Sequence, residues 1–206
     1  MFKDLYTIGH STHPLERLIE LLGNHSVTAV ADVRSHPYSR YNPQFNRETF
    51  KAHLKAHGVE YVFLGVELGA RSEDPACYRE GQVQFELVAK TALFKEGLAR
   101  VHRGMKTHRI GLMCAEKDPL FCHRTILVCR NLRAPDIQIN HILEDGAIER
   151  HQDAERRLME ILRVPDSTLF NTYEQQLERA YDIQGKKIAY VEKKSDEENR
   201  QGGLTP

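Results

Sequence analysis

Cys114-Ala115-Glu116 and, a few residues on, Cys122-His123-Arg124 gather two thiols, a carboxylate, an imidazole and a guanidinium into one short stretch. The thiolate is the reactive form of cysteine, and helix-start amides and nearby cations both favour it. Cys114 is therefore a candidate nucleophile or redox centre. Glu116, His123 and His10 are candidate acid/base groups, and Cys122 is a second thiol able to pair reversibly with Cys114. Arg124 can offer a planar fork to phosphate or carboxylate beside the same amides. A second polar segment contributes Asp32, Arg34, Ser35, Ser39 and Arg40, and Ser11 adds a hydroxyl. Arginine and hydroxyl donors suit phosphate-type anions, although Asp32 could equally fix Arg34 in a structural pair. Tyr38 and Tyr41 could stack on a base or simply cover the edge of a core.

Each motif has a plainer reading. Free cysteine is among the most buried residue types, so a Cys at a strand end is commonly a packing residue. Cys77 and Cys129 are read that way. Gly9-His10-Ser11 is no phosphate-binding glycine loop, because neither GxGxxG nor GxxxxGK[ST] occurs. Metal is an alternative use of the same side chains: Cys114, Cys122 and His123, with His10 or His141, are ligands enough for zinc. The C-x7-C-H spacing is not that of a finger or ribbon, however, and no second CxxC pair exists. No cofactor is expected, with zinc as the alternative. His25, His53, His57, His102, His108 and His151 are expected at helix ends and surface turns, in solvent.

The elements that must position these residues alternate. Apolar strands are expected at 5–8, 27–33, 59–64, 110–113 and 137–142, with Cys114 closing the fourth. Helices are expected at 15–22, 47–57, 83–103 (with a break near Gly97), 122–132, 152–162 and 168–180. Ser11 or Thr12 is the expected cap of the first helix, and 70–81 is expected to be a surface loop. Such alternation implies an α/β, three-layer, single-domain fold around a mainly parallel sheet of about five strands, with extra C-terminal helices. In an open parallel sheet, ligands bind outside the carboxyl ends of the strands. The residues that follow the strands, His10, Asp32, Arg34, Glu67, Cys114 and His141 among them, then share one rim. The expected division is 1–150 for the α/β domain, 151–191 for the helices packed on it and 192–206 for a disordered tail.

Composition narrows the function classes. The chain has 206 residues, and 29 Lys and Arg balance 29 Asp and Glu, so any basic site must be local rather than a general nucleic-acid-binding surface. No apolar run approaches the ~18 residues of a membrane span. Four cysteines in this length are no disulfide framework. A cytoplasmic protein with no membrane partner is expected, its oligomeric state open.

Four strings, Thr7-Ile8-Gly9-His10-Ser11, Asp32-Val33-Arg34-Ser35 with Pro37 and Ser39-Arg40, Leu68-Gly69, and Met113-Cys114 through Glu116 to Cys122-His123-Arg124, resemble the DUF488 family of small, mainly prokaryotic proteins. The resemblance runs from about Leu5 to His141. It implies an α/β domain in which these strings form one site, and it implies no particular reaction. From the residues, the first expectation is an enzyme, a cysteine-dependent hydrolase or transferase, acting on an anionic, phosphate-bearing small molecule or nucleic acid. The alternatives are a non-catalytic nucleotide or nucleic-acid binding module and a Cys/His metal-binding protein.

Overall fold

The computed structural model describes residues 3–192. Six strands form one sheet in the order β3-β2-β6-β1-β7-β8. Five run parallel: β1 (Lys3–Gly9), β2 (Ala29–Asp32), β3 (Glu60–Phe63), β6 (Ile110–Cys114) and β7 (Ile137–Ile142). The sixth, β8 (Ile148–Arg150), pairs antiparallel with β7 and was not expected, since three residues are too few to show a period. β4 (Tyr78–Arg79), within the expected 70–81 loop, and β5 (Gln82–Val83), just past it, make a small hairpin turned at Glu80 and Gly81, both at positive φ, so Val83 is strand rather than the start of the expected helix.

β2 and β6 are almost continuously apolar because both sheet faces are covered there. One face carries α1 (Leu15–Asn24) and α2 (Arg47–Ala56), with Tyr6, Ile8, Val30 and Met113 of the sheet buried against them. The other carries α3 (Gly65–Leu68), α4 (Phe85–Val88), α5 (Ala92–Gly104), a π-helical turn Arg124–Cys129 running into α6 (Arg130–Leu132), α7 (His151–Leu162) and α8 (Tyr173–Ile188), packed on Leu5, Ala31, Leu112 and Ile139. Successive residues of β1 thus alternate between two cores, as the period of a strand requires.

Three helix boundaries differ from expectation for identifiable reasons. The helix expected over 83–103 is two helices, broken at Thr91 rather than Gly97. Thr91 Oγ1 accepts from Phe94 N at 3.1 Å and caps α5. Gly97 stays helical and packs face-on, where a Cβ would come within 2.7 Å of Glu67 and Leu68. α1 starts after Pro14 with no side-chain cap, so neither Ser11 nor Thr12 caps it. α8 begins at a capping box of Thr172 and Gln175 and runs on to Ile188, past the expected end at 180. Apart from Glu192, the expected tail 192–206 lies outside the described residues. Among the described residues, no helix is long and apolar enough to cross a membrane.

Candidate functional site

The chain leaves β1 toward β2 on one side and leaves β6 toward β7 on the other, so the adjacent ends of β1 and β6 form the switch point of the sheet. Gly9 and Cys114 are register partners there. Past the strands, His10 N donates to Cys114 O and Ser11 N to Ala115 O, both at 2.8 Å. Gly9 is obligatory: a Cβ at this position would stand 1.8 Å from the Glu116 carbonyl oxygen, which crosses directly over it. That same oxygen accepts from Arg124 NH1 at 2.6 Å.

Beyond this crossing, four side chains converge. Cys114 ends β6. Cys122 and His123 lie between a 3-10 turn (Pro119–Phe121) and the π-helical turn, and Glu116 folds back from the loop. The Cys114 Sγ, Cys122 Sγ, His123 Nδ1 and a Glu116 carboxylate oxygen all lie within 4.8 Å of one another. Both sulfurs lie within hydrogen-bond distance of Glu116 Oε2, at 3.0 Å from Cys114 and 2.9 Å from Cys122. His123 Nδ1 stands 3.6 Å from Cys114 Sγ and 4.0 Å from Cys122 Sγ. The two cysteines and His123 are buried, and Glu116 is the exposed member. A π turn is uncommon and tends to occur at functional sites.

The electrostatics divide the two thiols. Burial, then the hydrogen bond with Cys122, pushes the Cys114 thiol up. Burial would raise Cys122 as well, but Cys114, the Arg124 guanidinium and His123 outweigh it and hold that thiol well below its ordinary value. His123 is moved the opposite way: burial opposes its charge, but Cys122 and Glu116 favour it and raise its pKa. Burial and then the Cys122 charge raise Glu116.

The cluster opens on a cleft of about 310 Å³ lined by Arg34, Ser35, His36, Arg71, Cys114, Glu116, Ile188 and Tyr190. The family described as a domain of unknown function, DUF488, matches residues 14–130, more than half of the chain. The protein belongs to the DUF488 family. No curated protein and no solved structure matches it. The match takes in the Arg34 loop and the whole Cys114–Arg124 segment of this DUF488 domain, and it begins after His10.

The remaining candidates are placed unequally. Arg34 lines the cleft but is held by Asp32, whose buried carboxylate accepts from its Nε at 2.9 Å and NH2 at 2.7 Å, and also from Tyr61 Oη at 2.8 Å. The structural pairing of Asp32 is thus present, and Arg34 NH1 still reaches His10 Nε2 at 3.3 Å. His10 gives Nδ1–H to Ser11 O and stacks on Phe45. Burial first, then the Arg34 charge, lowers its pKa to about 4, so it is neutral. Ser35 Oγ accepts from Arg71 N and so orders the far wall of the cleft. Arg124 is fully buried, its guanidinium spent on Glu116 O, Lys117 O and Thr7 Oγ1. It holds the loop and lends charge rather than reaching the cleft. Ser39 and Arg40 lie outside the cleft: Ser39 Oγ accepts from Tyr41 N and Asn42 N, and Arg40 lies over the Tyr41 ring. Glu67 pairs with Arg100 of α5.

The DUF488 site also holds residues that the sequence did not disclose. Arg71 lies in the expected surface loop, and Ile188 and Tyr190 lie beyond the expected end of the last helix. Only the preceding Leu68-Gly69 string pointed toward Arg71. The C-terminal helices hold the loop between Cys114 and Cys122: Arg157 of α7 grips Asp118 through NH1 and NH2 at 2.9 and 3.0 Å, and Gln184 of α8 donates to Leu120 O at 2.8 Å. His141 is on no ligand rim. Its Nδ1 meets Thr7 Oγ1 at 2.8 Å and its Nε2 meets His151 Nδ1 at 3.0 Å. His151, expected in solvent, is buried and continues the row to Tyr181 Oη at 3.0 Å, because it is the first residue of α7 and faces the sheet.

Proposed function

We propose that this DUF488 protein is an enzyme whose reaction centre is Cys114, Glu116, Cys122 and His123, and whose substrate is an anionic, phosphate-bearing molecule such as a nucleotide or the end of a nucleic acid. One observation carries the reading: the thiol, carboxylate and imidazole groups share a single cleft with the guanidinium groups of Arg34 and Arg71. Reactive groups and anion-holding groups at the switch point of a parallel sheet are the arrangement that such folds use for substrates. Arg34, bound to Asp32, is a rigid donor at the floor of the cleft. Arg71, set over the Tyr190 ring with its guanidinium carbon 4.2 Å from the centroid, is the exposed cation at the mouth. Unpaired thiols suit a reducing compartment, and all four cysteines are free. We place the protein in the cytoplasm on that ground.

A panel of nucleotides and phosphate esters, followed for turnover and for binding, tests the reading. Arg71→Ala should weaken substrate binding about tenfold, the loss of one charge-assisted contact, and Cys114→Ala should abolish turnover while leaving binding measurable. If Arg71→Ala binds every ligand as the natural chain does, the anion reading is wrong. If ligands bind but Cys114→Ala changes nothing beyond affinity, the protein is a binding module.

A further inference from the structure

We infer that Cys114, Cys122, His123 and Glu116 are the ligands of one tetrahedral zinc ion, with Glu116 in the exchangeable position that faces the cleft. The inference rests on the reading of this cluster as the reaction centre and says what that centre contains.

With zinc–sulfur distances of about 2.3 Å and zinc–nitrogen or zinc–oxygen distances of about 2.0–2.2 Å, the edges of a tetrahedral site measure roughly 3.5–3.8 Å. Of the two sulfur-to-imidazole separations, 3.6 Å lies within that range and 4.0 Å just above it. The two sulfur-to-carboxylate separations, 3.0 and 2.9 Å, are shorter and nearly equal. Glu116 is the one exposed ligand, so its side chain has room to swing outward by the half-ångström or so that a metal requires.

A ligating histidine normally donates its other ring nitrogen to a carbonyl or carboxylate, which fixes the tautomer. His123 Nε2 meets Val33 O at 2.9 Å, and this leaves the Nδ1 lone pair facing the sulfurs. Cys122 Sγ accepts from Arg124 N at 3.4 Å, a backbone contact suited to a metal-bound thiolate. The fully buried Arg124 guanidinium lies next to the cluster and offsets the surplus negative charge of two thiolates and a carboxylate on a divalent ion.

Two thiolates and an imidazole are soft to borderline donors, which select zinc over magnesium or calcium. Thiol S–H groups are weak donors, a poor means of holding four polar groups together in the interior. A cation satisfies every lone pair at once. Three buried ligands and one exposed ligand also match the division in catalytic zinc sites, where three protein groups hold the metal and the fourth position is open to exchange.

The test uses the full chain, purified without a histidine tag and under reducing conditions. Elemental analysis should find about one zinc per chain, and cobalt(II) substitution should produce thiolate charge-transfer and tetrahedral ligand-field bands. Glu116→Gln, at the exposed position, should fold normally, weaken zinc retention in a chelator competition about tenfold or more, and shift the cobalt bands. Cys129→Ser, a thiol outside the cluster, should leave all of these unchanged. Free-thiol counting gives an independent check, since zinc should protect two of the four cysteines. A chain that carries no zinc, takes up none when it is offered, and exposes Cys114 and Cys122 equally to the reagent with or without zinc overturns the inference. If such a chain still turns over phosphate esters in a Cys114-dependent way, the reaction centre stands and only the metal is lost. Zinc bound stoichiometrically without ligand binding or turnover separates the two the other way.

Discussion

Gly9 and Glu116 stand face to face at the end of the sheet, with the Glu116 carbonyl oxygen 1.8 Å from the point where any other residue would place its Cβ at position 9. The loop carrying Glu116 reaches the cluster only because β1 ends in a residue without a side chain. The carbonyl then turns to Arg124, and the carboxylate of the same residue falls between the two sulfurs.

Gly9→Ala should therefore damage the site out of proportion to its size. A backbone atom that cannot yield must shift, so a loss of several kcal/mol of stability is expected, in the range of severe strain. Thermal melting of the variant reads the cost. A variant as stable as the natural chain would mean that the loop takes another path.

Arg34→Ala leaves the Asp32 carboxylate, fully buried, without its bidentate partner. Breaking a buried pair from one side costs about 3–5 kcal/mol, and urea denaturation should show it. Replacing both residues, as Asp32→Asn with Arg34→Ala, should cost less than Arg34→Ala alone. Tyr61, whose phenol is pushed up by burial and then by Asp32, keeps an acceptor oxygen at position 32 in the double variant as well.

His141 and His151 should make the fold acid-sensitive. Burial, then the charge on Arg133, lowers His151 to about 3, and burial, then His151, lowers His141 well below its ordinary value. Below about pH 6.5 the unfolded chain binds a proton on each ring, while the folded chain refuses it down to about pH 3 at His151. Stability is thus fully present above 6.5 and falls with pH below it, by up to about 1.4 kcal/mol per pH unit for each ring. Between pH 6.5 and 5, where exposed carboxylates remain ionised, urea midpoints should decline. His10, lowered to about 4, adds to the same decline, so His151→Phe should remove only its own share of the slope, and an unchanged slope would contradict the burial argument.

Thr7→Val tests the connection between the two halves of the molecule. Thr7 Oγ1 accepts from Arg124 Nε at 3.4 Å and meets His141 Nδ1 at 2.8 Å. The isosteric change leaves His141 Nδ1 without a partner in the interior, and a buried unsatisfied group costs about 1–3 kcal/mol. Denaturation gives the cost directly. A neutral result would mean that the His141–His151 row is held from the Tyr181 and Glu155 end alone.

β2 and β6 were legible because a strand covered on both faces is nearly continuously apolar, and each of the five proposed strands is found. β8 escaped notice because it is short and half exposed, and it owes its place to pairing with β7 rather than to its own residues. The break at Thr91 was hidden by apolar residues that continue on both sides of it. His151 looked like a surface residue because a helix end is polar in sequence, whereas its burial depends on which way α7 faces the sheet. Arg71 and Tyr190 could not be found from spacing, since they come to the cleft from a loop and from the end of the last helix.

Residue type and local order by themselves determined that Cys114, Glu116, Cys122 and His123 lie close to one strand end, because a tight loop keeps near neighbours near. The tertiary structure alone decided that their four donor atoms converge on one point, that Arg124 is spent beneath them instead of facing a ligand, and that Arg71 stands at the mouth. Those outcomes depend on the crossing of Glu116 over Gly9 and on the Val33 carbonyl that turns His123. Contacts between segments far apart in the chain leave no periodic trace in it.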